Sequence, residues 1–368
     1  MRIVLTGGGT GGHIFPLVAV ARKFKEKIGP ESEFLFVGSK GKLEGSIMAE
    51  ENIPVKYVLS GKARRYFSFQ NFVDFFKIPI GVIQSMWILL AYMPDAIFSK
   101  GGYASIPVVI AAWIYRIPVM THESDAVPGV TNLILGKLST RIAVAYPTVK
   151  EYFLKSKVLL TGNPVREDIF GGNAEEARKK LGLTESKPTI LVMGGSQGAK
   201  IINDAIIHIL PKLLHRSQII HQTGEKNFEE VSHAAAQKGI KVGREGYIAT
   251  PFLNTEEMKD ALAVADLVIS RAGAGSISNI AGAGKVAILI PISTAANDHQ
   301  NMNAYELAKI GGALVLEESN LGESMLIEKI ENLLDNQELK SKMIERIRNF
   351  YHPDAADKIV DGIVDLIS

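Results

Sequence analysis

Three glycine-rich runs each sit between a short apolar run and a helical pattern. They are Gly7-Gly8-Gly9-Thr10-Gly11-Gly12, Gly194-Gly195-Ser196-Gln197-Gly198 and Arg271-Ala272-Gly273-Ala274-Gly275-Ser276. A tight turn of this kind brings backbone N–H groups close to a ligand at a helix N-terminus, where the helix dipole favours an anion or a developing negative charge. A diphosphate is the natural occupant. His13 directly follows the first run, so a neutral imidazole there can take a proton from an attacking hydroxyl, and the helix start should lower its pKa. In open α/β sheets ligands bind beyond the carboxyl ends of the strands. The polar residues predicted at such ends are His13, Tyr103, His122-Glu123-Ser124-Asp125, Ser196-Gln197, Gln222-Thr223, Arg271 and Asp298-His299-Gln300-Asn301, with Arg166 following a Gly-Asn-Pro turn.

Other chemistries lack their required residues. Gly7, Gly9 and Gly12 satisfy G-x-G-x-x-G, but a dinucleotide site needs an acid closing the second strand, and Phe34-Leu35-Phe36-Val37 runs into Gly38-Ser39. There is no G-x-x-x-x-G-K-[ST] and no H-E-x-x-H. His122 and Glu123 are adjacent on an extended segment and point apart, so they are a poor metal pair. The chain has no cysteine, which removes disulfides, thiolate metal sites and cysteine nucleophiles. A net charge of +2 gives no global field for nucleic acid, so any polyanion or membrane contact must be local.

These residues need a scaffold of alternating strands and helices. Strands are predicted at 2–6, 33–37, 96–99, 118–121, 141–145, 157–160, 189–193, 218–222, 241–245, 267–270, 286–290 and 313–316, with room for a helix between most pairs. Repeated β-α-β implies parallel sheets covered on both faces. At 368 residues the chain is long for one core, and the strands entering Gly7 and Gly194 open two similar halves. The expected division is 1–162 and 163–351, joined near Gly162-Asn163-Pro164, with a helix at about 352–368 packing back on the first half. The N-terminus runs from strand to glycine without the apolar stretch of an export signal. Residues 78–93 carry no charge, but the run is short for a span and holds Pro79 and Gly81, so a buried or bilayer-surface helix is expected.

In order along the chain stand Gly8-Gly9-Thr10-Gly11-Gly12-His13-Ile14-Phe15-Pro16, Gly101-Gly102-Tyr103-Ala104-Ser105, His122-Glu123, Gly162-Asn163-Pro164-Val165-Arg166, Gly194-Gly195-Ser196-Gln197-Gly198-Ala199 and Asp298-His299-Gln300. Together they resemble the MurG family of bacterial peptidoglycan N-acetylglucosaminyltransferases over nearly the whole chain. The resemblance implies a GT-B fold, two Rossmann-like domains with parallel sheets facing across a cleft. It implies UDP-N-acetylglucosamine as donor, lipid I as acceptor, lipid II as product, no cofactor, and a peripheral position on the cytoplasmic face of the cell membrane. By the family pattern Thr10, Gly11 and Gly12 face the substrate diphosphates. Arg166, Ser196, Gln197, Leu253 and the segment containing Ala274, Gly275, Ser276 and Asn279 hold uridine diphosphate, and Gln300 and Asn301 contact the sugar. The chain departs from the pattern at Asp125, where many members have Asn, at Asn279, where many have Glu, and at Asn301, where some have Gln.

The implied reaction inverts the anomeric carbon of the donor, with His13 as the expected base and Glu123 and Asp125 as rivals. Cations and aromatics mix at Lys62, Arg64, Arg65, Phe67, Phe69, Phe72, Phe75, Phe76 and Lys77, and with the apolar run to Leu90 and with Trp113 they suit contact with anionic lipid. The competing reading of those aromatics is burial in the core. Two other functions fit the fold: another GT-B enzyme, such as a UDP-sugar 2-epimerase or a different lipid glycosyltransferase, and a nucleotide-sugar sensor without turnover.

Overall fold

A computed structural model describes residues 1–8, 11–61, 69–195, 198–293 and 298–368, with backbone alone at 42–43 and 69–75. The chain divides into two compact units, Met1–Arg166 with His352–Ser368, and Glu167–Tyr351.

The first unit runs β1 (Arg2–Thr6), α1 (Gly11–Lys27), β2 (Glu33–Gly38), α2 (Lys42–Glu50), β3 (Val55–Tyr57), α3 (Phe69–Tyr92), β4 (Ala96–Ser99), α4 (Ile106–Tyr115), β5 (Val119–Glu123), α5 (Val130–Leu138), β6 (Arg141–Val144) and β7 (Val158–Leu160). All seven strands are parallel, in the order β3-β2-β1-β4-β5-β6-β7. Strands β1, β2, β4 and β5 are almost wholly buried because helices cover both faces, which is why they read as unbroken apolar runs. Ile3 and Leu5 pack with Ile14, Leu17 and Phe24 of α1 and Met48 of α2. Val4, pointing the other way, packs with Leu89 of α3, Val108 and Ala112 of α4 and Leu135 of α5.

The last helix of the chain, Ala355–Ile367, returns to this unit and lays Ile359, Val360 and Ile363 on the α1 side of the sheet. Gly362 permits the close approach, since a Cβ there would lie 2.5 Å from Met120 Cε. Lys27–Asp361 at 2.7 Å and Arg141–Asp365 at 3.2 Å tie its outer face, but such exposed pairs contribute little beside the apolar packing.

The second unit runs α6 (Ala174–Leu181), β8 (Thr189–Met193), α7 (Lys200–Arg216), β9 (Gln218–Gln222), α8 (Phe228–Gln237), β10 (Tyr247–Thr250), α9 (Thr255–Val264), β11 (Leu267–Ser270), α10 (Ala274–Gly282), β12 (Ala287–Leu289), α11 (His299–Lys309), β13 (Leu314–Val315), α12 (Glu323–Asp335) and α13 (Gln337–Phe350); the final helix, Ala355–Ile367, is α14. Its six strands are parallel in the order β10-β9-β8-β11-β12-β13. Ile190 and Val192 meet the α7 side, while Leu191 and Met193 meet Ile277 and Ile280 of α10.

Two strands differ from the sequence expectation. Residues 241–245 form a turn in which Gly243 (φ 79°) and Glu245 (φ 56°) adopt left-handed backbone, and pairing begins only at Tyr247, after Gly246 (φ 80°). Strand β3 was not anticipated, because three half-exposed edge residues, Val55–Tyr57, carry little apolar signal. Among the described residues no helix is long and apolar enough to cross a membrane.

A polar chain runs through the core of the second unit. The Tyr247 hydroxyl donates to Nδ1 of His221 at 3.0 Å, His221 Nε2–H donates to Asn203 Oδ1 at 3.0 Å, and Asn203 Nδ2 donates to the Thr223 carbonyl at 3.0 Å. The Asn203 oxygen can only accept, which fixes the imidazole tautomer. Burial pushes the pKa of His221 down to about 3 from an ordinary 6.5, so the folded residue stays neutral while the unfolded one gains a proton below 6.5. The stability it supports is therefore intact above pH 6.5 and declines by roughly 1.4 kcal/mol per unit below that. Tyr247→Phe, which leaves Nδ1 unsatisfied, is expected to cost about 1–3 kcal/mol in urea unfolding of the full chain; an unchanged midpoint would remove this network from the account.

Candidate functional site

In the first unit the carboxyl ends of β1, β4 and β5 carry the site. His13 lies half-buried in the first turn of α1, whose opening residues are Gly11, buried, and Gly12, exposed. Its Nδ1–H donates to the Gly8 carbonyl at 2.7 Å. A carbonyl accepts only, so Nε2 keeps the free lone pair and can receive a proton. Burial, and then the Lys100 ammonium, hold the imidazole's pKa below its ordinary value. No acidic residue stands in the first turn of α1 to compete with an anionic ligand.

Gly101 and Gly102, both at φ 81°, make the turn after β4 that sets Tyr103, half-buried, in a short helical turn at 103–105. A Cβ on Gly102 would lie 3.3 Å from Cε1 of His13, and one on Gly101 would lie 1.9 Å from Asn132 Oδ1. Only glycine accommodates both the conformation and the contact.

His122 and Glu123, at the end of β5, do point apart. His122 is fully buried, and its Nε2–H donates to the Gly162 carbonyl at 2.9 Å. The Nδ1 atom is buried and has no hydrogen-bond partner among the described residues. Glu123 accepts from the backbone N–H of Asp125 at 2.9 Å, that of Gly129 at 3.1 Å and the Asn132 amide at 2.9 Å. This carboxylate holds the 124–129 loop and the start of α5. Burial and the neighbouring Asp125 push its pKa up, while the hydrogen bonds and Lys100 act against them. Asp125 is half-buried beside it. Arg166 stacks its guanidinium 4.1 Å from the ring centroid of Phe15 on α1.

In the second unit α10 starts at the carboxyl end of β11 with no side-chain cap and no acid in its first turn. The first-turn N–H groups of Ala274, Gly275 and Ser276 are therefore available to an anion, with Asn279 half-buried one turn further on. Arg271 is held within the unit: its Nη1 donates to the Ile290 carbonyl at 3.1 Å and its Nη2 pairs with Glu318 at 2.7 Å. The Glu318 carboxylate also receives the N–H of Ser293 at 3.0 Å. Leu253 is buried in the core layer beneath α9 and α10. The Gln300 oxygen accepts from Ile292 N–H at 3.1 Å, and Asn301 donates to Asp298 at 2.5 Å. Thr10, Ser196 and Gln197 lie outside the described residues, as do Lys62, Arg64, Arg65 and Phe67.

The structure thus brings His13, Tyr103, His122, Glu123 and Asp125 to one end of the first sheet, and Arg271, the α10 residues, Gln300 and Asn301 to the corresponding end of the second. Two participants escaped the sequence reading. Neither Asn132 nor Lys100 belongs to a motif, although a lysine between an apolar strand and a glycine pair is an unusual place for exposure.

Two Rossmann-like units, each a parallel sheet with glycine turns at the carboxyl ends of its strands, define the GT-B fold class. Residues 3–144 match the glycosyltransferase family 28 N-terminal domain, and residues 189–359 match the family 28 C-terminal domain. Among curated proteins, the UDP-N-acetylglucosamine–N-acetylmuramyl-(pentapeptide) pyrophosphoryl-undecaprenol N-acetylglucosamine transferase of Clostridium perfringens (strain SM101) is 39% identical, over 100% of this chain and 97% of the relative. The transferase of that name from Thermodesulfovibrio yellowstonii is 38% identical, over 98% and 97%. The crystal structure of MurG from Acinetobacter baumannii superposes with a TM-score of 0.74 at 28% identity, covering 99% of each chain. A UDP-GlcNAc 2-epimerase from Neisseria meningitidis shares the fold at 13% identity, with a TM-score of 0.69 over 99% of this chain and 100% of its own. The chain belongs to the family of UDP-N-acetylglucosamine–N-acetylmuramyl-(pentapeptide) pyrophosphoryl-undecaprenol N-acetylglucosamine transferases.

The internal pairing of Arg271 separates a scaffold role from a ligand role. Arg271→Met leaves the largely buried Glu318 without its cation and is expected to destabilise the second unit by about 3–5 kcal/mol. Thermal and urea unfolding measure this. Unchanged stability with weakened nucleotide affinity would instead make Arg271 a ligand residue.

Proposed function

We propose that this chain transfers N-acetylglucosamine from UDP-N-acetylglucosamine to the C4 hydroxyl of the muramoyl sugar of undecaprenyl-pyrophosphoryl-MurNAc-pentapeptide, lipid I, giving lipid II. The observation that carries the reading is the orientation of His13. With Nδ1–H committed to the Gly8 carbonyl, Nε2 presents a lone pair beside a glycine turn, in an imidazole kept neutral. The acceptor oxygen forms a bond to the anomeric carbon and its proton passes to Nε2. The bond from that carbon to the diphosphate breaks, and its electron pair leaves with UDP. The first unit serves the acceptor, with Gly11, Gly12 and Tyr103 around its diphosphate and sugar. The second serves the donor, with Ala274, Gly275 and Ser276 at the diphosphate, Leu253 and Asn279 towards the nucleoside, and Gln300 and Asn301 towards the sugar. Arg166, Ser196, Gln197 and Thr10 complete the anion contacts. Uncapped helix N-termini stabilise the leaving charge without a metal.

Glu123 and Asp125 are weaker candidates for the base. Both Glu123 oxygens already accept hydrogen bonds from the loop they organise. In turnover of labelled UDP-N-acetylglucosamine with a lipid I analogue, His13→Ala is expected to lose at least a hundredfold in kcat. Turnover within a few-fold of the unsubstituted enzyme would exclude His13 as the base, and absence of lipid II formation by the unsubstituted enzyme would exclude the reaction.

A lipid-linked acceptor calls for a membrane-facing surface, and we assign it to α3 and α4. Phe76, Ile80, Ile83, Trp87 and Leu90 form one exposed stripe along α3, with Trp87 70% exposed, and Trp113 on α4 is 59% exposed. Such a stripe beside Lys77 suits peripheral insertion into an anionic leaflet on the cytoplasmic side. The enzyme is expected to co-sediment with anionic vesicles in a salt-sensitive manner, and the Ile83→Glu, Trp87→Glu variant is expected to lose most of that binding. Equal sedimentation of both proteins would refute the assignment.

A further inference from the structure

Lys100 is buried at the centre of the first unit's polar cluster, with 1% of its surface exposed. Parallel register places Ser99 between Thr6 of β1 and Thr121 of β5, so the next row across the sheet is Gly7, Lys100 and His122. The Lys100 N–H donates to the Thr6 carbonyl at 2.8 Å, which anchors that row. Gly7 makes room for the side chain, since a Cβ there would lie 3.2 Å from Lys100 Cβ. Among the described residues no hydrogen bond or close ion pair reaches the ammonium, and a charge so placed is costly unless anions nearby offset it. Burial lowers the pKa of the ammonium, and the charges of Glu123, at the end of the neighbouring strand, and of Asp125, in the loop that follows, act against it. From the other elements, its charge acts on His13 of α1, on which Asp125 and Glu44 of α2 also act, and on His122 of β5.

We propose that Lys100 is a positioning residue for the proton transfer: a buried cation, in register beside His122 and across Gly7 from the His13 turn, that opposes a second positive charge on either imidazole. The inference rests on the transferase reading, in which the acceptor hydroxyl gives its proton to a base that must be unprotonated near neutral pH. The row geometry carries it, because register sets Lys100 between Gly7 and His122, and Gly7 and Gly102, bare of side chains, let the His13 turn close on that row. The electrostatic directions agree. Lys100 works against the burial that raises the Glu123 pKa, and adds to the burial that lowers those of His13 and His122. Removing its charge therefore raises the proton affinity of both imidazoles together.

The test compares kcat/KM against pH, with UDP-N-acetylglucosamine and a lipid I analogue, for the unsubstituted enzyme, Lys100→Met, Lys100→Gln and Lys100→Arg. The acid limb is expected to move up by about one pH unit in the two neutral variants, so their deficit is about tenfold larger on the acid limb than on the plateau. Lys100→Arg is expected to return the limb towards its original position. If Lys100→Met does not fold, Lys100→Gln reports the same loss of charge. A deficit equal at every pH means that Lys100 only supports packing and overturns the proposal. A second readout needs no turnover: imidazole NMR titration, with His13 and His122 assigned by their own replacement. Both midpoints are expected to rise in Lys100→Gln, and unmoved midpoints overturn the electrostatic role. An unsubstituted enzyme that makes no lipid II fails the transferase reading instead, and the imidazole midpoints tell the two failures apart.

Discussion

A peptide N–H in the first turn of a helix has no carbonyl partner within that helix, and the arrangement of this molecule follows from that vacancy. Strand β1 feeds α1, β8 leads by a glycine turn to α7, and β11 feeds α10, always at the carboxyl edge of a parallel sheet. Parallel strands all point the same way, so one edge of each sheet collects these helix starts. The second sheet repeats the strand order of the first, apart from the extra β7 edge. Each unit therefore offers positive helix ends at one edge, where glycine lets a ligand approach the backbone.

The chemistry then depends on polar groups that the sheets force out of water. Glu123, His122 and Lys100 stand where strands end, at depths that would suit leucine. Burial of the first two is tolerable because each is placed against something specific: the carboxylate against two backbone N–H groups and Asn132, the imidazole against the Gly162 carbonyl; for the cation, the charges of Glu123 and Asp125 act against the cost of burial. Low local dielectric makes each of these interactions stronger than it would be at the surface. The same property lets one lysine act on several titrating groups at once. The second unit handles its buried cation differently, by a direct pair between Arg271 and Glu318 that braces the loop at Ser293.

The exposed stripe on α3 shows the reverse choice. Helices α1 and α7 put their apolar residues against a sheet, whereas α3 keeps Ile83, Trp87 and Leu90 in solvent while Leu89, on its other side, enters the core. Gly81 brings the helix hard against the backbone at Leu59, where a Cβ would lie 1.9 Å from the carbonyl oxygen, so the outward stripe is a consequence of how tightly the inward face is seated.

The fold class was open to reading because doubly covered strands such as 2–6 and 189–193 must be apolar at every position, and glycine must follow where backbone and ligand meet. Those are local demands, so they leave local marks. The motif order further carried the family, which the relatives bear out. Pairing is not local. Strand β3 exists because Val55–Tyr57 lies beside β2, and residues 241–245 turn instead of pairing because left-handed backbone at Gly243 and Glu245 postpones the strand to a buried Tyr247. Nor could the chain alone say which polar residues were to be enclosed. Glu123 read as a candidate base, yet its oxygens turned out to gather a loop. Arg271 read as one polar residue at a strand end, and its pairing with Glu318, 47 positions away in the chain, was not legible there. Lys100 drew no notice until parallel register set it between Gly7 and His122. Residue type and spacing determine which groups can titrate or accept an anion. Only the assembled sheet decides which of them lose water and face one another, because desolvation and mutual charge are properties of neighbours brought together from distant parts of the chain.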